Sequence, residues 1–206
     1  GSSMKKVFSI LDEEPVLSNT GTLSPDMDSM NVIEFNNVSF SYGRETVLHD
    51  VNFSIMKGEK IAIVGETGAG KSTIAKLILR FYLSDKGDVK FYGESAKEVS
   101  QRWARKNIAY VPQESFLFRG TIRDNLIYSN PEKMQLESEL KDIGVLDWFN
   151  RYENGLDQEV GERGSNVSAG ERQFIALLRA VLAKREIIVF DEATANLDIE
   201  SENSIL

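Results

Sequence analysis

The chain has 206 residues, 41% of them hydrophobic, enough for one or two domains with a proper core. Its formal net charge of −8 argues against nucleic acid as the main partner, since such binders usually carry a basic face. Without cysteine it can hold neither a disulfide framework nor a thiolate metal site, which fits a reducing compartment. No apolar run approaches the roughly 18 residues that cross a bilayer.

Gly1-Ser2-Ser3 has the look of an expression scar and is set aside. Met4 to Glu14 predicts a short helix with Val7, Ile10 and Leu11 on one side, and residues 15 to 30 predict a polar linker. Val38, Phe40 and Tyr42, then Val51, Phe53 and Ile55, alternate at period two and predict two strands. Ile61-Ala62-Ile63-Val64 predicts a buried parallel strand, and Ile74, Leu77, Ile78 and Phe81 fall at helical spacing after it. Val89 to Tyr92 and Ile108 to Val111 predict further strands. From about 121 to 155 the pattern is helical, with Ile122, Leu126, Leu136, Leu140, Ile143, Trp148 and Phe149 as buried positions. A glycine-rich turn, Gly161 to Gly170, opens a helix carrying Phe174, Leu177, Leu178, Val181 and Leu182. Ile187 to Phe190 predicts another buried parallel strand, ending in Asp191-Glu192. Strands alternating with helices define an α/β fold with a parallel sheet.

Gly65 to Ser72 fits the pattern G-x-x-x-x-G-K-[ST] of a phosphate-binding loop, or P-loop. Glycines let backbone N–H groups close around phosphate oxygens, and the following helix adds its positive N-terminal dipole. Gly65, Thr67, Gly68, Ala69, Gly70, Lys71, Ser72 and Thr73 are the candidate nucleotide contacts. Lys71 would neutralise the β- and γ-phosphates and the Ser72 hydroxyl would coordinate Mg2+. An acidic pair such as Asp191-Glu192 can simply cap a following helix. Beside a P-loop it gains a second use: Asp191 to hold Mg2+ and Glu192 to polarise the attacking water as general base.

Asn166-Val167-Ser168-Ala169-Gly170-Glu171-Arg172-Gln173 resembles the signature motif of ATP-binding cassette (ABC) proteins, usually written LSGGQ. The resemblance covers the chain from about Val32 onward. It implies a P-loop core with a parallel sheet, a small antiparallel sheet near Tyr42 and a helical subdomain at about 115–170. By the same resemblance Tyr42 is the aromatic that stacks on adenine. Gln113, in Tyr110-Val111-Pro112-Gln113, is the glutamine that touches Mg2+ and the membrane-domain interface. Asp198, in Ala195-Asn196-Leu197-Asp198, is the residue that crosses to a partner subunit. Phe116 to Leu126 and Glu159 to Gly164 are similar to segments of multidrug and lipid exporters, Glu159 opening the stretch that contacts intracellular helices of the membrane domain. Val7 to Pro15 resembles the join between membrane and ATPase domains in fused half-transporters, so residues 4–30 read as the join and 31–206 as the ATPase domain.

The resemblance implies ATP and Mg2+ as cofactors and a head-to-tail pair of such domains, identical or not, each lending Ser168, Gly170, Glu171 and Asp198 to the other's ATP. It also implies a transmembrane domain as partner, at the cytoplasmic face of a membrane, with this soluble piece powering export. The residues allow plainer roles as well. Tyr42 continues a strand stripe, Gln113 is a polar loop residue, and Ser168 and Asp198 can be ordinary helix caps. His49 reads as a surface residue. Three positions leave the signature consensus, Val167, Ala169 and Glu171, and the charge of Glu171 near ATP calls for a cation such as Arg172. The family's switch histidine, about thirty residues past the Asp-Glu pair, falls after Leu206. Expectations are therefore poor turnover by the isolated chain and an unpaired sheet edge. A soluble ABC ATPase without transport, or an ATP sensor without turnover, are the competing functions.

Overall fold

The computed structural model describes residues 21–66, 68–128 and 135–191, so the expected N-terminal helix lies outside the described residues. The chain divides into two compact units at the boundary between Lys106 and Asn107. The first is built on an antiparallel sheet of β1 (Asn31–Tyr42), β2 (Glu45–Met56), β3 (Lys86–Phe91) and β4 (Glu94–Ser95), in the order β2-β1-β3-β4. Ile33, Phe35, Val38 and Phe40 of β1 are all buried, although the step from Phe35 to Val38 breaks period two. A bulge absorbs the extra residue: Asn37 adopts φ 52°, and the pairing register shifts between Phe35 and Val38. The bulged carbonyls press on β3, where a Cβ at Gly87 would stand 2.2 Å from the Asn37 oxygen, so only glycine fits. On the other side Phe35 stacks on Phe53 of β2 at 4.4 Å.

α1 (Lys71–Ile78) buries Thr73, Ile74, Leu77 and Ile78, and α2 (Gln101–Asn107) closes the unit. Two expectations need correction here. Residues 61–64 form no strand: they are exposed, Val64 at 87%, and hydrogen-bond into no sheet among the described residues. An apolar run supplies side chains for a strand, but only a neighbouring ladder makes one. Phe81 lies beyond α1 and is 53% exposed, because Arg80 turns the backbone to φ 55° and takes Phe81 off the helical stripe.

In the second unit β5 (Ile108–Val111) and β8 (Ile187–Phe190) form a parallel pair, Ile108 opposite Ile187 and Val111 opposite Phe190. β6 (Gly120–Thr121) pairs with β7 (Glu159–Val160), and the helices are α3 (Ile122–Ile127), α4 (Leu136–Ile143) and α5 (Ala169–Leu182). Their core joins Ile122, Leu126, Leu136, Leu140, Phe149, Phe174, Ile175 and Leu178. Ile143 and Trp148 only flank this core rather than lying inside it, and Val181 is half-buried. β8 is less buried than expected: Ile187 is covered but Phe190 is 38% exposed, since one partner strand and one helix face cover only part of it. An antiparallel sheet in the first unit, and a parallel strand pair with helices in the second, make this a mixed α/β chain.

Candidate functional site

The phosphate-loop geometry follows from its glycines. Gly68 and Gly70 adopt φ 88° and 84°, the left-handed region that side chains avoid. Gly70 is also forced to be small, because a Cβ there would meet Leu48 Cδ2 of β2 at 2.6 Å. Gly70 starts α1 with no side-chain cap, and no acidic residue occupies the first turn. The first N–H groups of α1 therefore keep their donors for an anion. The Lys71 ammonium donates to the carbonyl oxygens of Gly65 and, at 2.9 Å, of Glu66, folding over its own loop. Ala69 N–H donates to the Glu66 oxygen at 3.1 Å and closes the turn. Ser72 is exposed and Thr73 buried, and Thr67 lies outside the described residues.

Tyr42 stands in the same unit, at the end of β1, 36% exposed. Its hydroxyl accepts from Thr73 Oγ1 at 3.4 Å, and its ring is perpendicular to Phe40 and to Tyr82. One portion of the ring packs and another faces solvent. His49 is exposed, as expected.

In the second unit the parallel ladder brings the C-terminal ends of β5 and β8 to one edge, where ligands meet open α/β sheets. Asp191 N–H donates to the Val111 oxygen at 3.0 Å, and exposed Gln113 follows two residues after Val111. The Tyr110 hydroxyl donates to Asp191 Oδ2 at 3.3 Å. Burial, then the charge of Asp191 and this hydrogen bond, push the Tyr110 phenol above its ordinary value. Glu192 and Asp198 lie outside the described residues.

Ser168 is the N-cap of α5, as a capping box dictates. Its Oγ accepts from Glu171 N–H at 3.2 Å, and its own N–H donates to Glu171 Oε2 at 2.8 Å. Because the hydroxyl spends a lone pair on this bond, its single proton stays free for an acceptor. Ala169 is exposed and Gly170 half-buried. The cation beside Glu171 is Arg151 rather than Arg172, which donates to the carbonyl oxygens of Gly164, at 3.2 Å, and Val167. Burial disfavours the Glu171 charge, but hydrogen bonding from Ser168, the neighbouring Tyr152 hydroxyl and the Arg151 charge outweigh it and hold the carboxyl below its ordinary value. Glu159, exposed in β7, accepts Asn166 Nδ2 at its backbone oxygen, 2.8 Å away, tying the exporter-like segment to the loop before Ser168. Tyr82, Tyr110, Tyr152 and Arg151 escape sequence reasoning, since each meets its partner across the fold and no local spacing marks it.

The family described as ABC transporter matches residues 48–195. The chain is 39% identical over 206 residues to human ATP-binding cassette sub-family B member 6, covering 98% of this chain and 24% of that protein. It is 37% identical over 209 residues to the ATP-dependent lipid A-core flippase of Desulfotalea psychrophila, covering 99% of this chain and 36% of the relative. Among solved structures it resembles a bacterial Atm1-family ABC exporter with ATP bound, with TM-score 0.82 and 34% identity, over 98% of this chain and 36% of the other. The chain thus spans about a quarter to a third of the length of these relatives.

Proposed function

Because this chain belongs to the ABC transporter family, we propose that it is the ATP-binding and ATP-hydrolysing domain of an exporter. The observation that carries the reading is the loop of left-handed Gly68 and Gly70 that runs into the uncapped N-terminus of α1 beneath Lys71. Such a cradle offers backbone donors and one ammonium to a polyphosphate. Binding requires Lys71 to leave the carbonyls of Gly65 and Glu66 for the β- and γ-phosphates, while the N–H groups of Gly68 to Thr73 take the remaining oxygens. Tyr42 stacks on adenine.

Ser72 of the first unit, and Gln113 and Asp191 of the second, are the residues that would hold Mg2+; each offers an oxygen donor, the kind that suits a hard divalent cation. When bound, the ion neutralises charge developing on the phosphates. Glu192 takes the proton of the attacking water. Two such domains pair head to tail, identical or not. Each presents the free Ser168 proton and the Gly170 amide to the ATP held by the other, as the capped but outward-facing start of α5 allows. ATP closes the pair, hydrolysis reopens it, and a membrane domain reached through Gln113 and the segment at Glu159 converts the motion into export. The likeness to an exporter solved with ATP bound supports this over a soluble repair or translation ATPase.

The test is ATPase rate against protein concentration, together with ATP affinity. The rate, low in the isolated chain, should rise faster than linearly in a chain able to complete the paired site, Lys71→Ala should abolish binding, and Glu192→Gln should keep binding while stopping turnover. Parental hydrolysis by Glu192→Gln would remove the assigned base, and a strictly linear rate would place catalysis within one subunit.

A further inference from the structure

We infer that Tyr82 is a positioning residue for nucleotide recognition: with Thr73, it fixes the ring of Tyr42 relative to the phosphate loop. The inference rests on the reading of Tyr42 as the adenine platform. Tyr42 is the last residue of β1 and partly exposed, so its own strand fixes it only through Phe40, two residues back, whose ring is perpendicular at 4.9 Å. The other contacts come from α1 and the turn after it. Thr73, in the first turn of α1, donates its hydroxyl proton to the Tyr42 oxygen at 3.4 Å. Tyr82, four residues past the end of α1, sets its ring at 90° to Tyr42 with centroids 5.5 Å apart. Phe40 and Tyr82 also meet, at 5.3 Å, which closes a triangle of rings. Lys76 adds a cation from the same helix, its ammonium 5.5 Å from the centre of the Tyr42 ring.

The geometry has a consequence for binding. The helix that carries the phosphate cradle at its start also fixes the aromatic platform, through groups at both its ends. Base and phosphates then meet surfaces already set at one spacing, and the ring gives up little freedom when a base stacks on it. Edge-to-face contacts of this kind orient rings as well as bury them. Tyr82 touches neither base nor phosphate in this scheme. It acts through Tyr42.

The experiment compares the affinity of ATP with that of inorganic triphosphate, both in chelator, for the chain and three variants. Tyr82→Leu should weaken ATP on the order of tenfold, the scale of one base-stacking contact, and leave triphosphate within about twofold. Tyr82→Phe keeps the ring and should match the parent. Thr73→Val keeps the volume but drops the donor, so it should reduce the preference for ATP by a smaller factor. Should Tyr82→Leu fail to fold, Tyr82→Met, which keeps apolar volume without a ring, takes its place with the same expected outcome. Equal losses for ATP and triphosphate would show a merely structural role and overturn the inference, as would an unchanged preference for ATP. A parent that binds both probes equally would instead overturn the reading of Tyr42, before any variant is compared.

Discussion

Glu171 decides whether the signature loop uses a charge or only a hydrogen-bond acceptor. Its carboxylate accepts the Ser168 N–H at 2.8 Å, a bond that an amide oxygen makes equally well. Glu171→Gln should therefore keep the capping bond, losing at pH 7 only the part of the stability that depends on charge, and leave turnover within about twofold. Glu171→Ala loses the acceptor and should cost about 1 kcal/mol, the usual worth of a helix cap. For a domain near 200 residues that corresponds to a fall in Tm of about 3 °C. The pH dependence separates the two variants further. The folded carboxyl titrates below its ordinary value of 4.5, so the unfolded chain takes up its proton first on acidification. Its contribution is present above that value and is lost as pH falls through the lower folded value. Glu171→Gln should flatten the stability curve as pH falls through and below 4.5, and thermal unfolding on acidification is the assay. A tenfold loss of turnover in Glu171→Gln, with stability kept, would show that the charge itself acts on nucleotide. Equal stability of the Ala and Gln variants at pH 7 would refute the capping argument.

Gly87→Ala should destabilise the first unit by about 3 kcal/mol, since φ 70° is unfavourable for alanine and the new methyl would meet two carbonyl oxygens of the β1 bulge; urea unfolding measures it. Asp191→Asn removes the charge beside Tyr110 and should lower the ionisation of that phenol towards its ordinary value, read by ultraviolet difference titration in alkali. No change would show that burial alone raises it.

The sequence revealed those parts of the fold whose signals are local. α5 begins directly after Ser168, which reads as an ordinary helix cap, and buries Phe174, Leu177, Leu178 and Leu182 at helical spacing. β5 spans the four residues that its apolar run predicts. The failures share a physical cause, which is that the deciding contact lies elsewhere. Ile61 to Val64 has the composition of a strand, yet strand formation depends on a ladder that the run itself does not encode. Phe81 keeps helical spacing after a backbone turn at Arg80 has already ended the helix. In the site, Gly68 and Gly70 are legible because a left-handed backbone demands glycine, and Ser168 because a helix start favours a hydroxyl cap. Tyr82 is not, because any large side chain satisfies the local pattern and only its perpendicular contact with Tyr42 gives it meaning.

The helix starts carry one more argument. α3 and α5 both open on complete capping boxes, Thr121 with Asp124 and Ser168 with Glu171. α1 opens on Gly70, which has no side chain to cap with and no acid in the first turn to stand in for one. α4 also lacks a side-chain cap but carries Glu137 and Glu139 in its first turn, so α1 is left with neither, at a cost of roughly a few tenths of a kcal/mol relative to a good cap. A bound polyphosphate supplies the missing acceptors and the missing negative charge together, in a protein whose overall charge would otherwise repel it. Nucleotide should accordingly raise the melting temperature of this chain in proportion to the logarithm of its concentration above Kd. Lys71→Ala, which removes the ammonium from the same cradle, should abolish that rise. A rise that survived Lys71→Ala would mean that the anion binds somewhere other than the start of α1.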